Sequence, residues 1–194
     1  MHPILRNSNL MNELAILDAI QTIHVGWLDT LVAAFTSLGN AGALFIFTGL
    51  VLCCIPRTRK LGVAVLVAIA LGALVTNLTI KPLLMRPRPC DVNPDVIMLV
   101  PRPHGSSFPS GHTTAAFACA GALLFMRDPR APRVLAMAAL VVAILMGLSR
   151  LYCYVHYPTD VLAGCLIGLA AGFAAAKIMA AWSKRHPAQN AQRP

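Results

Sequence analysis

Acidic side chains are scarce in this sequence: seven Asp and Glu in 194 residues, within a total of only 12% charged residues. A soluble domain carries about twice that charged fraction, so a fold surrounded by water on all sides is excluded. Aromatic residues are also few, at 6%, and no basic run has aromatics interleaved with it. That argues against a nucleic-acid surface. The six cysteines are scattered, with Cys53, Cys54, Cys119 and Cys165 inside apolar runs, so neither a disulfide framework nor a zinc-type pair is spelled out.

Apolar residues are what the chain has in quantity, 57% of the total, and the mean hydropathy is +0.69. Disorder is excluded by the same figures. Uncharged apolar stretches run from Ala41 to Ile55, Leu61 to Ile80, Thr113 to Met126, Val134 to Leu148 and Val161 to Ala176. Each reaches spanning length once its flanks are added, which predicts an all-α integral membrane bundle of about five transmembrane helices. No internal repeat divides the chain, so residues 1–194 are read as a single domain with a loose tail from His186 to Pro194. No basic start, apolar run and small-residue cleavage site follow one another at the beginning, which argues against a signal peptide.

Residues 11–38 differ from these runs, because Glu13, Asp18, Gln21, His24 and Asp29 recur along them. Each charge placed in hydrocarbon costs roughly 2 to 3 kcal/mol, so this region is expected as one or two amphipathic helices at the interface. In the last apolar run Gly164, Gly168 and Gly172 form a bare helix face. Tight packing inside the monomer is the preferred reading of that face, with homo-oligomerisation as the alternative.

The net charge of +9 has to be read by position. Arg57, Arg59 and Lys60, then Arg127, Arg130 and Arg133, then Lys184 and Arg185 all fall on one side of the expected bundle. The positive-inside rule makes that side cytoplasmic. Lys81, Arg86, Arg88, Arg102 and Arg150 are left on the opposite side, where orientation does not call for them. An anionic ligand does.

Three clusters on that outer side end or begin apolar runs: Lys81 with Arg88-Pro89, Pro109 to His112, and Ser149-Arg150 followed by His156 and Asp160. Helix ends of a bundle lie at a common depth, so the three can share one pocket. Ser110 is suited to cap a helix, leaving the amides of Gly111 and His112 as free donors at its positive end, a seat for phosphate. Arg88 and Arg150 can each grip two oxygens of a phosphate and Lys81 adds a point charge. Asp91 and Asp95 are the only other outer carboxylates, too few for a magnesium or calcium site, so no metal is expected. His156 and Asp160 stand four apart, so the acid can orient one imidazole nitrogen and free the other for attack. His112, beside the phosphate seat, is placed to protonate the leaving oxygen.

Taken together, Lys81 to Pro89 as K-x6-RP, Pro109 to His112 as PSGH, and Ser149 to Asp160 as SR-x5-H-x3-D resemble the full three-part signature of the type-2 phosphatidic acid phosphatase superfamily. The resemblance implies a cofactor-free phosphohistidine mechanism. In it Lys81, Arg88, Ser110, Gly111 and Arg150 bind phosphate, His112 is acid and base, His156 is the nucleophile and Asp160 orients it. Many membrane members have six spans, from which the polar region before Leu38 departs.

The expected activity is removal of phosphate from a lipid phosphate or polyprenyl pyrophosphate at the outer face of a bacterial-type plasma membrane. Substrate lipid and membrane lipids are the partners, and nucleic acid is not. Polyprenyl pyrophosphate ranks first among substrates because Arg86 offers a cation for a second phosphate; anchoring to lipid headgroups is the other reading of Arg86. A phosphotransferase would use the same residues, whereas a lipid-binding or transport protein gives no reason for His156 beside Asp160. Haloperoxidase chemistry would need the same anion seat. Singly, these features mean little: a Lys or Arg at a helix end is usually an interfacial anchor, and Asp160 alone could be a helix cap. Tyr152, Tyr154 and Tyr157 are expected in the interfacial aromatic belt, Arg102 and His104 as loop residues, and Cys90 with Cys153 as an undecided pair on the outer side.

Overall fold

The computed structural model describes residues 8–126 and 133–185. Arg127, Arg130 and the tail from His186 to Pro194 lie outside them. The described residues are helical with no strand, and all five apolar runs become helices: α3 (Ala43–Cys54), α4 (Arg59–Ala73) with its continuation, α7 (Gly111–Phe125), α8 (Arg133–Tyr152) and α9 (Pro158–Arg185). Before them come α1 (Ser8–Gln21) and α2 (Gly26–Ser37); the short α5 (Lys81–Leu84) and α6 (Pro89–Val92) follow α4. Three paths, Arg59–Val92, α8 and α9, are long and apolar enough to cross a membrane singly, and α2 with Asn40–Cys54 makes a fourth, bent by 48°. The 15-residue α7 is shorter. It runs through the middle of the bundle against α4, α8 and α9, and most of its residues are buried by protein.

Lipid tails are as apolar as leucine, so helices here associate through close packing and not through escape from water. The sequence distributes its residues accordingly. Ala64, Ala68, Ala116, Ala118, Ala120, Ala122 and Ala175 are buried, whereas Phe47, Leu50, Val141, Ile144, Leu162 and Leu166 face outward. The bare face of α9 is fully used within the monomer. A β-carbon at Gly164 would lie 2.8 Å from the Ser110 carbonyl oxygen, one at Gly168 2.6 Å from that of Thr114, and one at Gly172 2.5 Å from the Ala122 nitrogen. This face is therefore closed to a second copy, which removes the oligomer alternative.

Residues 11–38 do form two helices, but not ones that rest only on lipid. Helix α2 is the first half of the bent span, and Leu10, Leu14 and Leu17 of α1 pack with Cys90, Cys153, Tyr154, Val155 and Tyr157 into a second core at one end of the bundle. The charges that barred this region from hydrocarbon have protein partners: Asp18 accepts from the Tyr154 hydroxyl and Asp29 from the Tyr152 hydroxyl, each at 2.6 Å. The tyrosines are consequently buried and do not form an interfacial belt. Cys90 and Cys153 sit in the same core as free thiols, so they do not pair.

The α7–α9 seam gives the first testable expectation. Gly168→Leu should cost on the order of 3 kcal/mol by overpacking, read as a lowered melting temperature of the detergent-solubilised protein. Gly26→Ala, where an added methyl meets nothing within 4 Å, is the control and should melt like the parent. An unchanged melt for Gly168→Leu would contradict the packing.

Candidate active site

Helices α4 and α9 run in opposite senses, as do α7 and α8, so Lys81, Ser110 to His112, Arg150 and His156 to Asp160 meet at one end of the bundle. They surround a cavity of about 420 Å³. Lys81, Arg88, Gly111, His112, Arg150 and His156 line it, together with Asn77 and the apolar or small residues Gly39, Ala41, Ile69, Ala73 and Ala115. Ser110 and Asp160 stand behind this wall, fully buried. Seven residues of π-helix, Leu74–Ile80, separate α4 from Lys81. Such widened turns recur at functional sites, and this one puts Thr76 and Asn77 on the cavity wall.

Ser110 begins α7 as expected, its Oγ accepting from the Thr113 amide at 3.4 Å and the Thr113 hydroxyl at 2.9 Å. Its own amide donates to the Asp160 carbonyl at 3.0 Å, which joins the second motif to the third. The Phe108–Pro109 peptide just before it is cis. A β-carbon on Gly111 would stand 3.5 Å from Lys81 Nζ and 3.6 Å from Asn77 Oδ1, so the bare glycine faces the lysine across the open seat.

Arg88 is more constrained than the sequence suggested. Its Nε donates to Gly105 O at 3.1 Å, one terminal nitrogen to Val155 O at 3.0 Å, and the other to Ser106 O at 3.2 Å and His104 O at 3.4 Å. The guanidinium thus ties the outer loop to the turn before His156, and His104 serves through its carbonyl oxygen. The same nitrogen that binds Val155 lies 3.3 Å from His156 Nε2. Arginine only donates, so Nε2 carries the lone pair and the ring proton sits on Nδ1.

That Nδ1 lies 3.4 Å from Asp160 Oδ2, within ion-pair distance but off the line of a hydrogen bond. Asp160 Oδ2 accepts the Tyr157 amide at 2.8 Å. Burial above all pulls the His156 pKa down to about 4; Asp160 opposes this, and Arg88 and Arg150 reinforce it. The imidazole is therefore a neutral base at neutral pH.

Three holding contacts come from the N-terminal third, where sequence reasoning placed no site residue. The buried Thr36 hydroxyl accepts from Arg150 at 2.6 Å and lies 3.0 Å from Ser149 Oγ. Asn40 Oδ1 is 3.1 Å from His112 Nε2, and Gly39 leaves room for that ring, since a β-carbon there would be 2.8 Å from His112 Cδ2. Asn40 precedes Ala41 and Gly42, which turn the chain between α2 and α3 with φ of 51° and 73°. Glu13 reaches Arg86, and Arg86 reaches Asp160. Arg86 is thus occupied by carboxylates and is not a free cation for a second phosphate. The only sequence signal for these contacts was the presence of polar groups in a segment otherwise fit for lipid.

Among the described residues no three His, Cys, Asp or Glu gather as metal ligands. The cavity instead collects cations and two imidazoles, a set suited to holding a tetrahedral anion beside a nucleophile.

Comparison with known proteins agrees with this geometry. Undecaprenyl-diphosphatase of Sulfolobus acidocaldarius is 34% identical over 113 residues, 58% of this chain and 52% of that protein. The chain thus spans about half the length of that relative. Phosphatidylglycerophosphatase B of Bacillus subtilis is 30% identical over 164 residues, covering 80% of this chain and 77% of the relative. The crystal structure of LpxE from Aquifex aeolicus superposes with a TM-score of 0.71 at 30% identity, covering 84% of this chain and 94% of that one. Residues 61–184, which hold all three motifs, match the PAP2 superfamily, and the chain belongs to that family.

Proposed function

We propose that this protein is a lipid phosphatase that removes phosphate from a membrane-anchored phosphate or diphosphate through a phosphohistidine on His156. The observation that carries this reading is the placement of His156, whose ring, with Nε2 3.3 Å from Arg88, lines a cavity that also holds Lys81, Arg150, Gly111 and His112. Nε2 attacks phosphorus, the bond to the lipid oxygen breaks, and His112, which takes up a proton with the anionic substrate, gives that proton to the leaving oxygen. Water, relieved of a proton by His112, then attacks the phosphohistidine and inorganic phosphate leaves. Lys81, Arg150 and the Gly111 amide hold the equatorial oxygens, and the Arg88 hydrogen now aimed at Nε2 turns to an oxygen as the N–P bond forms. Ser110 acts by capping α7, and Asp160 by stabilising the imidazolium side of His156.

The apolar wall made by Ile69, Ala73 and Ala115 suits a substrate whose tail stays among helices. With Arg86 engaged elsewhere, no described residue singles out a diphosphate. Polyprenyl diphosphate is put first because two of the similar proteins are named undecaprenyl-diphosphatases. In this reading the phosphate charge is met by Lys81, Arg88 and Arg150, with no metal required. The site faces outward, because Arg57, Arg59, Lys60, Arg133, Lys184 and Arg185 lie at the other end of the bundle.

Purified protein assayed with excess chelator should release phosphate from lipid phosphates. His156→Ala should be inactive on every substrate. His112→Ala should keep more activity on an aryl phosphate, whose phenolate leaves unaided, than on an alkyl phosphate, the gap being roughly a hundred- to ten-thousand-fold. Equal losses on both esters, a phosphoenzyme trapped on His156→Ala, or complete loss in chelator restored by magnesium would each overturn the mechanism.

His156 should remain neutral at pH 6, where a free imidazole is mostly protonated, and titrate near pH 4 in nitrogen NMR. Because its folded pKa is lowered, the unfolded chain takes up the proton first. Stability should therefore fall as pH drops from about 6.5 towards 4. A midpoint above pH 6 would contradict the buried neutral base.

For orientation, single cysteines replacing the exposed residues Asp95 and Arg57, in a chain lacking Cys53 and Cys54, should label from outside and inside respectively. The reverse pattern would place the site on the cytoplasmic face.

A further inference from the structure

Arg86 lies two residues before the signature arginine, and its guanidinium is gripped through both terminal nitrogens. One terminal nitrogen donates to Asp160 Oδ1 at 2.6 Å and to the Thr159 hydroxyl at 2.7 Å. The other donates to Glu13 of α1. Its central carbon sits 4.0 Å above the centre of the buried Tyr157 ring. Glu13 closes the loop with its second oxygen, which accepts the Thr159 amide at 2.9 Å and the Thr159 hydroxyl at 2.6 Å. A second tether runs alongside: Asp18 of α1 holds the hydroxyl of Tyr154, a residue with φ of 57° in the turn leading to His156.

The two oxygens of Asp160 consequently have separate duties. Oδ1 is taken by Arg86, and Oδ2 is left for the Tyr157 amide and for Nδ1 of His156. The carboxylate is fully buried, so loss of Arg86 would leave Oδ1 without a donor. The group would then turn towards other donors, and the ring would lose its fixed orientation. Glu13 offsets the charge of Arg86 and fixes it in place, because a planar fork gripping carboxylates on both sides has no freedom to swing.

We infer that Arg86, clamped by Glu13 of the first helix, is a positioning residue that sets the Asp160 carboxylate and through it, together with Arg88 at Nε2, the tautomer and aim of His156. The inference rests on the proposed role of His156 as nucleophile. It assigns to α1 a part in the reaction although α1 lines none of the cavity, and it separates Arg86 from substrate phosphate.

The test uses the full chain in lipid nanodiscs, with Arg86→Met, Arg86→Lys and Glu13→Gln compared on a lipid monophosphate and on a polyprenyl diphosphate. Arg86→Met should lose roughly a hundredfold in kcat on both substrates with KM within about threefold, a fraction of what loss of tautomer control costs in histidine-dependent hydrolases. Arg86→Lys, which keeps one charge but not the fork, should recover roughly a tenth of the parent rate, and Glu13→Gln should fall severalfold in kcat alone. A rise in KM confined to the diphosphate would mean that Arg86 binds a second phosphate, and an unchanged kcat would mean that it positions nothing; either overturns the inference. Nitrogen NMR of His156 decides without turnover. A single Nδ1–H tautomer in the parent should become a mixture in Arg86→Met and be restored in Arg86→Lys, and an unchanged spectrum in Arg86→Met overturns the inference. If the parent hydrolyses neither lipid, the functional reading fails while the NMR result still decides on the positioning.

Discussion

A charge set at bilayer depth must have a partner, and most of this structure follows from that requirement. Asp160 is the clearest case. Fully buried at the start of α9, its carboxylate accepts from a guanidinium on one oxygen and from a backbone amide on the other, with an imidazole nitrogen 3.4 Å away. Arg86 brings Glu13 with it, Glu13 brings Thr159, and the N-terminal helix is thereby docked over the end of the bundle. Arg150 draws in Thr36 in the same way, and Arg88 gathers the carbonyl oxygens of two loops. The polar groups are few because each one requires others.

Much of the site could be read from the sequence because its motifs are local. K-x6-RP, PSGH and the His156–Asp160 spacing each specify a helix end and a chemistry within a dozen residues, and the five apolar runs bring those ends together. The contacts that could not be read join residues 72 to 146 positions apart: Asn40 to His112, Thr36 to Arg150, Glu13 to Thr159. No periodicity or spacing encodes such pairs. The charges of residues 11–38 signalled only that something had to satisfy them. Lipid headgroups and water were the simplest answer, and protein proved to be the partner. Arg86 was misread for the related reason that a cation in the chain reveals its sign but not its neighbours. The tyrosines after Arg150 were misread as well, since an amphipathic ring suits a membrane interface and a buried hydroxyl–carboxylate bond equally.

The family match begins at Leu61, whereas Glu13, Thr36 and Asn40 all precede it. The chain thus divides into a part that carries the three motifs and a part that holds their side chains from behind. The second part uses ordinary residues, a glutamate, a threonine and an asparagine, whose value lies only in where the fold delivers them. Of the three cations at the cavity, Arg88 is committed largely to loop carbonyl oxygens, which leaves Lys81 and Arg150 the freer two.

The glycine face of α9 has a mechanical consequence. Gly164 lies against the carbonyl of Ser110, and the Ser110 amide in turn binds the carbonyl of Asp160, so the contact that packs two helices also fixes the width of the cleft between the two histidine-bearing motifs. Backbone approaches backbone there, with only the β-carbon of Thr113 beside the contact. Close-packed atoms resist compression, so this seam holds the two histidine-bearing motifs at a set spacing.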